Sequence, residues 1–180
     1  MFEQKVSDRN GSEHKVSDQN GVQGAHVGHG HLMVADIERA IAFYQDVIGM
    51  RLMLRYGSQA AFMSFDDYHH HLGLNTWESK NGTPPPKGHT GLYHIAFVFP
   101  DRASLGQVID RVQSAGYELI GASDHGVSEA VYLNDPDGNG LELYRDRPRE
   151  EWKMTADGVP ELVNRPLDVA ALVEEGRAVA

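Results

Sequence analysis

HGHLMVADIERAIAFYQDVIGM (residues 29–50) is the stretch of sequence that decides the fold. Its first part belongs to the stretch HVGHGHLMV (26–34), which we predict to be a strand, and Asp36 follows in a position suited to a helix N-cap. Gly49 is typical of the residue that ends a helix. Between them, apolar residues recur at the spacing of one buried helix face, namely Ile37, Ile41, Tyr44 and Ile48.

The same order of elements is predicted twice. After the first helix come strands over 50–56, 60–65 and 70–77, and then a loop rich in Pro and Gly over 78–91. The second round begins with a strand over 92–99 and a helix that Asp101 caps and Gly116 ends. The apolar face of this helix consists of Leu105, Val108, Ile109 and Val112. Three more strands follow, over 117–122, 129–134 and 140–146. The turn DPDGN (135–139) predicts a tight hairpin with Gly138 at positive φ.

These two βαβββ modules are internal repeats. His29 and His94 are 65 residues apart, and so are Asp36 and Asp101. We therefore predict an α+β fold in which modules 26–77 and 92–146 pair about a pseudo-twofold axis. They would form one domain, 26–146, whose mixed sheets curl around a shared cavity. The polar stretch 1–25 predicts a flexible tail. The C-terminal extension 147–180 contains one short amphipathic helix candidate at 167–175, which would cover the pocket, dimerise or lie on the surface.

Composition excludes several classes of function. The 180 residues carry a net charge of −10, with 26 acidic and 16 basic side chains, which argues against nucleic acid or an anionic membrane surface as partner. No apolar run reaches the ~18 residues of a membrane span, and the first residues lack the apolar stretch of a signal peptide. We therefore expect a cytoplasmic protein. Because the chain has ten histidines and no cysteine, a transition-metal site must use His, Asp or Glu.

The repeat predicts such a site. His29 and His94 occupy equivalent positions in the first strands of the two modules. Glu142 lies in the last strand of module two, and its counterpart in module one is Gly73, which carries no donor. Two imidazoles and one carboxylate with open coordination positions suit non-haem Fe(II), and Mn(II) is chemically plausible. His31 shares the strand parity of His29, so alternation alone leaves both as candidate ligands.

Three segments, HGHLMVADIERAIAFYQDVIGM, YHIAFV and YLNDPDGNGLELY, resemble the vicinal-oxygen-chelate (glyoxalase/bleomycin resistance/dioxygenase) superfamily over roughly 26–146. HHHLGLNTW, GLYHIAF and SDHGVSEAVYLNDPDGNGLELY look closest to its type I extradiol catechol 2,3-dioxygenases. The resemblance implies His29, rather than His31, as first ligand, with His94 and Glu142 as the others. Glyoxalases place a fourth carboxylate ligand where this chain has Gly73, which argues against a glyoxalase.

The resemblance also implies three catalytic residues. Tyr132 would hydrogen-bond a substrate oxygen, and His125 would hold the substrate or the ring-opened product. A second-sphere acid–base histidine corresponds to His71 or, as the weaker alternative, to His70. Strand alternation favours His71, because it points to the same face as Gly73.

The function implied is extradiol cleavage of a small aromatic diol by O2 at an Fe(II) site. The alternatives are another metal-dependent enzyme of the superfamily, such as an isomerase, epimerase or thiol transferase, and a metal-free protein that binds aromatic drugs. Many family members have two such domains, whereas this chain has one pair of modules. A partner subunit in a homo-oligomer, or the C-terminal extension, is therefore expected to complete the pocket.

Overall fold

The computed structural model describes residues 5–7, 13–15 and 24–179. The strands in these residues are β1 (Lys5–Ser7), β2 (Glu13–Lys15), β3 (Gly30–Met33), β4 (Arg51–Tyr56), β5 (Ala60–Ser64), β6 (Leu72–Asn75), β7 (Ile95–Val98), β8 (Leu119–Asp124), β9 (Ser128–Asn134), β10 (Gly140–Asp146) and β11 (Arg165–Pro166). The helices are α1 (Ile37–Ala42), which continues as a π-helix over Phe43–Ile48, α2 (Arg102–Ser114) and α3 (Val169–Ala178), with a 3₁₀ turn at Arg149–Glu151.

The predicted helix caps and stops are confirmed. The carboxylate of Asp36 accepts hydrogen bonds from the backbone N–H groups of Glu38 and Arg39, at 2.9 and 3.1 Å. Asp101 accepts from the N–H of Ser104 at 2.7 Å. Each helix then ends at a glycine in the left-handed region, where a side chain would be strained: φ is 92° at Gly49 and 82° at Gly116.

Two mixed sheets follow the two modules, and they confirm the α+β prediction. Module one forms the order β3-β6-β5-β4, and module two forms β11-β8-β9-β10-β7. The parallel pairs have the same register, since His31 lies beside Gly73 in β3/β6 and Ala96 lies beside Glu142 in β7/β10. The repeat therefore holds residue by residue.

The two modules meet through their helices and at a contact between their first strands. A Cβ on Gly30 would come within 2.7 Å of Cδ1 of Ile95, so the Ile95 side chain fills the space that glycine leaves beside β3. On the helical side, the Arg111 guanidinium donates to the carbonyl oxygens of Val47 and Ile48, at 3.0 and 3.3 Å. These carbonyls belong to the end of the π-helix, where a helix lacks internal donors.

The DPDGN turn has a second role that sequence patterning did not predict. Gly138 has the predicted positive φ of 83°. In addition, Asp135 accepts a hydrogen bond from the buried phenol of Tyr44, at 2.9 Å. Asp137 accepts from the backbone N–H of Ala35 and from Arg39, at 2.8 and 2.7 Å. The turn of module two therefore anchors the helix start of module one.

The core is one apolar layer between the helices and the sheets. All four apolar residues predicted for each helix face are buried. The largest fully buried side chains are Tyr44, Ile48, Met50, Met63, Leu72, Leu74, Leu105, Ile109, Leu133, Leu141, Leu143 and Leu172. Burial of a side chain of this size contributes roughly 1.5–3 kcal/mol, so this layer dominates the stability of both modules.

The C-terminal extension packs against module two. Helix α3 buries Leu172 and Val173, and its Gly176 crosses Gly106 of α2 so closely that a Cβ at either glycine would overlap the backbone of the other helix. The predicted helix thus lies on α2 and away from the cavity described below. Strand β11, just before α3, pairs antiparallel with β8 and extends the second sheet.

A buried carboxylate holds the extension and the second sheet together. Glu129 is 4% exposed. It accepts hydrogen bonds from Arg102, Arg145 and Arg147, at 3.1, 2.8 and 3.1 Å. Arg102 also pairs with Glu175 of α3. One carboxylate therefore links α2, β9, β10 and, through Arg102, α3.

Strands β1 and β2 lie inside the stretch predicted to be a flexible tail, and they pair antiparallel with Val6 opposite His14. The other residues of that prediction, 1–4, 8–12 and 16–23, lie outside the described part of the chain. Within the described part, no helix has the length and hydrophobicity needed to span a bilayer.

Candidate metal centre and adjoining cavity

Two of the three predicted metal ligands lie side by side. His94 directly precedes β7, and Glu142 is the third residue of β10, which pairs in parallel with β7. The Nε2 atom of His94 is 2.9 Å from Oε2 of Glu142. Neighbouring parallel strands thus bring an imidazole and a carboxylate together, as the repeat predicted.

A row of hydrogen bonds continues from this pair. The Tyr132 hydroxyl donates to Oε1 of Glu142 at 3.0 Å, because β9 places Tyr132 directly opposite Glu142. Partial burial, and then the nearby Glu142 carboxylate, raise the pKa of Tyr132 to about 12, so its phenol stays protonated at neutral pH. The Nε2 atom of His125 lies 2.9 Å from the Tyr132 hydroxyl. Tyr132 therefore contacts the candidate ligand Glu142 directly, and His125 contacts Tyr132.

A cavity of about 520 Å³ adjoins this row. Its lining residues are Tyr93, His94, Ile120, Gly121, Ser123, His125, Tyr132, Leu133, Asn134, Gly140, Leu141 and Asn164. Its volume falls within the range of small-molecule pockets, roughly 300–1,000 Å³. All of its walls come from module two and the C-terminal extension, whereas the sequence predicted a cavity shared by both modules.

His29, the third predicted ligand, is not grouped with His94 and Glu142 among the described residues. It directly precedes β3, as His94 precedes β7, so the repeat equivalence holds. Its ring packs against His70, with centroids 4.3 Å apart. Among residues 24–179 and the two short N-terminal strands, no group of three or more His, Asp or Glu side chains is gathered for metal binding. The set of three ligands therefore stays a prediction.

The two candidates for the acid–base histidine have different surroundings. His71 places its Nδ1 2.9 Å from the hydroxyl of the buried Ser64 on β5. His70 lies against His29 and the ring of Phe62, with centroids 4.3 and 4.9 Å apart. Burial, and then the charge of His29, lower the pKa of His70. His71 is thus fixed by β5, while His70 is the one beside the predicted ligand.

A residue beside Gly73 changes the interpretation of that position. The sequence predicted a position without a donor at Gly73. In the structure the ring of His31 lies over Gly73, and a Cβ there would come within 2.8 Å of the His31 Cγ and Nδ1 atoms. The rings of Phe62 and Trp77 flank His31, with centroids 6.0 and 5.7 Å away. The repeat relates this contact to module two. His31 corresponds to Ala96, which lies beside Glu142, and Glu142 corresponds to Gly73.

The donors that are present suit a divalent transition metal in part. Nε2 of His94 and Oε2 of Glu142 face each other, and Nδ1 of His94 is buried without a hydrogen-bond partner among the described residues. A buried ring nitrogen without a partner is uncommon in proteins, and it is consistent with a site that holds a further group. Imidazole and carboxylate are donors that Fe(II) and Mn(II) accept. The His94–Glu142 pair therefore fits as one side of a metal site, and His29 would have to approach it.

Known proteins with similar sequences include dioxygenases and lyases. A catechol-2,3-dioxygenase of Bacillus subtilis (strain 168) is 37% identical over 153 residues, which are 85% of this chain and 53% of that protein. Biphenyl-2,3-diol 1,2-dioxygenase 2 of Rhodococcus globerulus is 34% identical over 63% of this chain and 60% of its own length. A lactoylglutathione lyase of Pseudomonas aeruginosa is 25% identical over 64% of this chain and 79% of its own length. The chain thus spans little more than half the length of the two dioxygenases.

A solved structure with a similar fold and a family model also match this chain. The crystal structure of a glyoxalase/dioxygenase from Nostoc punctiforme matches with a TM-score of 0.59 and 21% identity, over 68% of this chain and 92% of that one. The family model of the Glyoxalase/Bleomycin resistance protein/Dioxygenase superfamily matches residues 25–143, which include both modules up to the middle of β10. This chain belongs to the glyoxalase/bleomycin resistance protein/dioxygenase superfamily.

Proposed function

We propose that this chain is an extradiol dioxygenase, which cleaves a catechol-type aromatic ring with O2 at an Fe(II) site formed by His29, His94 and Glu142. The observation that carries the proposal is the hydrogen-bonded row from His94 through Glu142 and Tyr132 to His125, next to a cavity of about 520 Å³. The row combines two metal donors, a phenol and an imidazole beside a space for substrate. The 37% identity to a catechol-2,3-dioxygenase supports the same reaction.

The metal would be held by the two histidines and the glutamate, with Mn(II) as the alternative ion. When bound, it supplies a template on which both diol oxygens and O2 are brought into contact, and a path for electrons between them. The carboxylate of Glu142 offsets part of the metal charge. Because Glu142 contributes both oxygens to neighbours, Tyr132 also fixes the direction in which this carboxylate points.

Two side chains would handle the substrate. Tyr132 keeps its proton at neutral pH because its pKa is raised to about 12. Its hydroxyl can therefore turn from Glu142 and donate that proton to a diol oxygen. His125 lies behind Tyr132 and also lines the cavity, so it can exchange a proton with the phenol or hold the ring-opened product. A second-sphere histidine, His71 or His70, would serve as the acid–base group near His29.

The proposal is tested by loading the purified chain with Fe(II) under anaerobic conditions and then adding a catechol and air. We expect one bound iron per chain and a yellow, ring-opened 2-hydroxymuconic semialdehyde type of product. Iron bound without any yellow product from several catechols would contradict the proposed reaction. A chain that binds neither Fe nor Mn stoichiometrically would contradict every metal-dependent function.

Ligand variants identify the metal site separately from turnover. We expect His94→Ala and Glu142→Gln to lower the bound iron well below one per chain, measured by elemental analysis, because each removes one donor. His89→Ala is the matched control, since His89 is exposed in the loop before β7. His29→Ala and His31→Ala are compared in the same assay. Loss of iron in His31→Ala, with iron retained in His29→Ala, would reassign the third ligand.

His70 and His71 are separated by replacing each with phenylalanine. Replacing the residue that transfers the proton should lower kcat by roughly 10²-fold or more while iron stays bound. Replacing the other residue should change kcat little. Unchanged turnover in His71→Phe together with a loss in His70→Phe would move the role to His70, which lies beside His29.

The second candidate is a metal-dependent lyase or isomerase, because a lactoylglutathione lyase is also similar to this chain. Gly73, covered by His31, has no carboxylate to offer as a fourth ligand. The metal-loaded chain is therefore also assayed with the hemithioacetal of methylglyoxal and glutathione. Its conversion, with no cleavage of catechols, would favour the lyase.

A further inference from the structure

We infer that the C-terminal segment before α3 is part of the active site, where the backbone carbonyl of Val163 holds His125 with its proton on Nδ1. This inference rests on the proposed function for its role in catalysis, whereas the hydrogen bond itself can be tested without turnover. It assigns a positioning role to a stretch outside the two repeated modules, between residues 161 and 166.

The contact between the segment and His125 is reciprocal. Nδ1 of the His125 ring is 3.1 Å from the carbonyl oxygen of Val163. The backbone N–H of Val163 donates to the carbonyl oxygen of His125, also at 3.1 Å. Pairing of Arg165 with Asp124 in β11 and β8 then keeps the segment beside the loop that carries His125. The ring and its backbone are both held by the same residue.

This contact decides which ring nitrogen carries the proton. A carbonyl oxygen can only accept a hydrogen bond, so Nδ1 of His125 must be the donor. The Nε2 atom on the other side of the ring faces the Tyr132 hydroxyl, 2.9 Å away. That hydroxyl has one proton, which it donates to Glu142 in this structure, so Nε2 can take it only when the hydroxyl turns away from Glu142. Val163 therefore orients His125 so that Nε2, rather than Nδ1, is the ring atom next to the Tyr132 proton.

The same segment forms part of the cavity wall. Asn164, next to Val163, lines the cavity together with His125 and Tyr132. The neighbouring helix α3 fixes the far end of the segment by packing on α2. Movement of the segment would thus both open the wall and release the ring of His125.

Gly126 gives a way to move the segment without touching any reacting group. Gly126 has a φ of +79°, and a Cβ there would meet Cγ2 of Val163 at 3.1 Å and the carbonyl oxygen of Glu161 at 3.3 Å. We therefore expect Gly126→Ala to shift the segment by a few tenths of an ångström relative to His125. Gly116→Ala is the matched control, because Gly116 has a similar φ of +82° and a Cβ there would meet nothing within 4 Å.

The test is which ring nitrogens of His125 carry a proton in the 180-residue, metal-free, 15N-labelled chain, measured by long-range 1H–15N correlation NMR and assigned with His125→Gln. We expect Nδ1 of His125 to carry a proton in the wild type and in Gly116→Ala. In Gly126→Ala we expect the Nε2-protonated form that free imidazole prefers, or a mixture. Adding Val163→Ala to Gly126→Ala removes the Cγ2 contact and should restore the wild-type signal.

The kinetic readout is taken on the iron-loaded variants with an uncharged catechol. We expect kcat of Gly126→Ala to fall by about tenfold or more with a smaller change in KM, because proton transfer is disturbed more than binding. A His125 whose Nδ1 carries no proton in the wild type would overturn the inference, and so would identical behaviour of the two glycine variants. If no variant cleaves catechols, the proposed function fails, while the NMR result still decides the position of His125.

Discussion

The imidazole of His31 lies over Gly73, close enough that a Cβ at position 73 would come within 2.8 Å of its ring. The two residues are neighbours in the parallel pair β3/β6. In module two the equivalent neighbours are Ala96 and Glu142, so each pair combines one small residue with one side chain that carries a donor. The absence of a side chain at Gly73 thus leaves room for the His31 ring. In module one the side chain with a donor atom therefore stands on β3, whereas in module two it is Glu142 on β10.

The first prediction concerns the contact between His31 and Gly73. Gly73→Ala should destabilise the protein by about 1–3 kcal/mol, because its methyl group displaces the His31 ring. His31→Ala removes the ring, so the double variant should recover part of that loss, with a coupling of roughly 0.5–3 kcal/mol. Chemical denaturation of the two single variants and the double variant measures this coupling. Additive effects would mean that the ring does not rest on Gly73.

The second prediction concerns the bond between the modules. Tyr44→Phe removes the hydrogen bond to Asp135, and we expect a loss of roughly 1.5–3 kcal/mol in the free energy of unfolding, since the acceptor is a buried carboxylate. Tyr56→Phe, at an exposed tyrosine, is the control. A loss no larger than in Tyr56→Phe would contradict the anchoring role of the DPDGN turn.

Tyr44 should also shape the alkaline side of the stability curve. Burial, and then the charge of Asp135, raise the pKa of Tyr44 well above its ordinary value of about 10. The unfolded chain therefore loses this proton before the folded chain, so stability is full below about pH 10 and falls as the pH rises above it. Unfolding curves collected on both sides of pH ~10 should show a shallower fall for Tyr44→Phe than for wild type.

The third prediction concerns Glu129. Glu129→Gln leaves three arginines without their shared carboxylate, and we expect a loss of about 3–5 kcal/mol, as when one partner of a buried ion pair is removed. Denaturant titration should show a lower midpoint with an unchanged slope. Glu118→Gln, at an exposed position, serves as the control. A midpoint equal to that of the control would show that the cluster contributes little.

The fourth prediction concerns the substrate. The described residues that line the cavity include no Lys or Arg, and the chain carries a net charge of −10. A carboxylate on the ring would enter without a cationic partner, so carboxylated catechols should have a KM about tenfold or more above that of uncharged ones. Steady-state kinetics with matched pairs of catechols measures the ratio.

A charge introduced at the cavity should reverse this preference. Ile120 lines the cavity and is 64% exposed, so Ile120→Lys can add a cation at little cost in folding. We expect it to lower KM for the carboxylated catechol, while Ile120→Met leaves the ratio unchanged. Equal KM values for both catechols in the wild type would show that charge does not select the substrate.

Much of the fold could be predicted because its signals are local. Asp36 and Asp101 cap helices through hydrogen bonds to residues two or three positions away, and Gly49 and Gly116 end them through their own backbone angles. Burial of the helix faces follows from the spacing of apolar residues. The repeat also predicted that His29, His94 and Glu142 lie around one centre with Gly73, and of these the structure places His94 against Glu142.

The sequence by itself therefore determined the order of elements, the repeat and the pairing of His94 with Glu142. The tertiary structure alone decided that His31 lies on Gly73, that Val163 holds His125, and that His29 lies beside His70 rather than in a group of three donors. The physical reason is that these contacts join residues far apart in the sequence. They depend on how close two surfaces approach and on which rotamer fills the space between them. A pattern of residue types along the chain specifies neither the approach nor the rotamer.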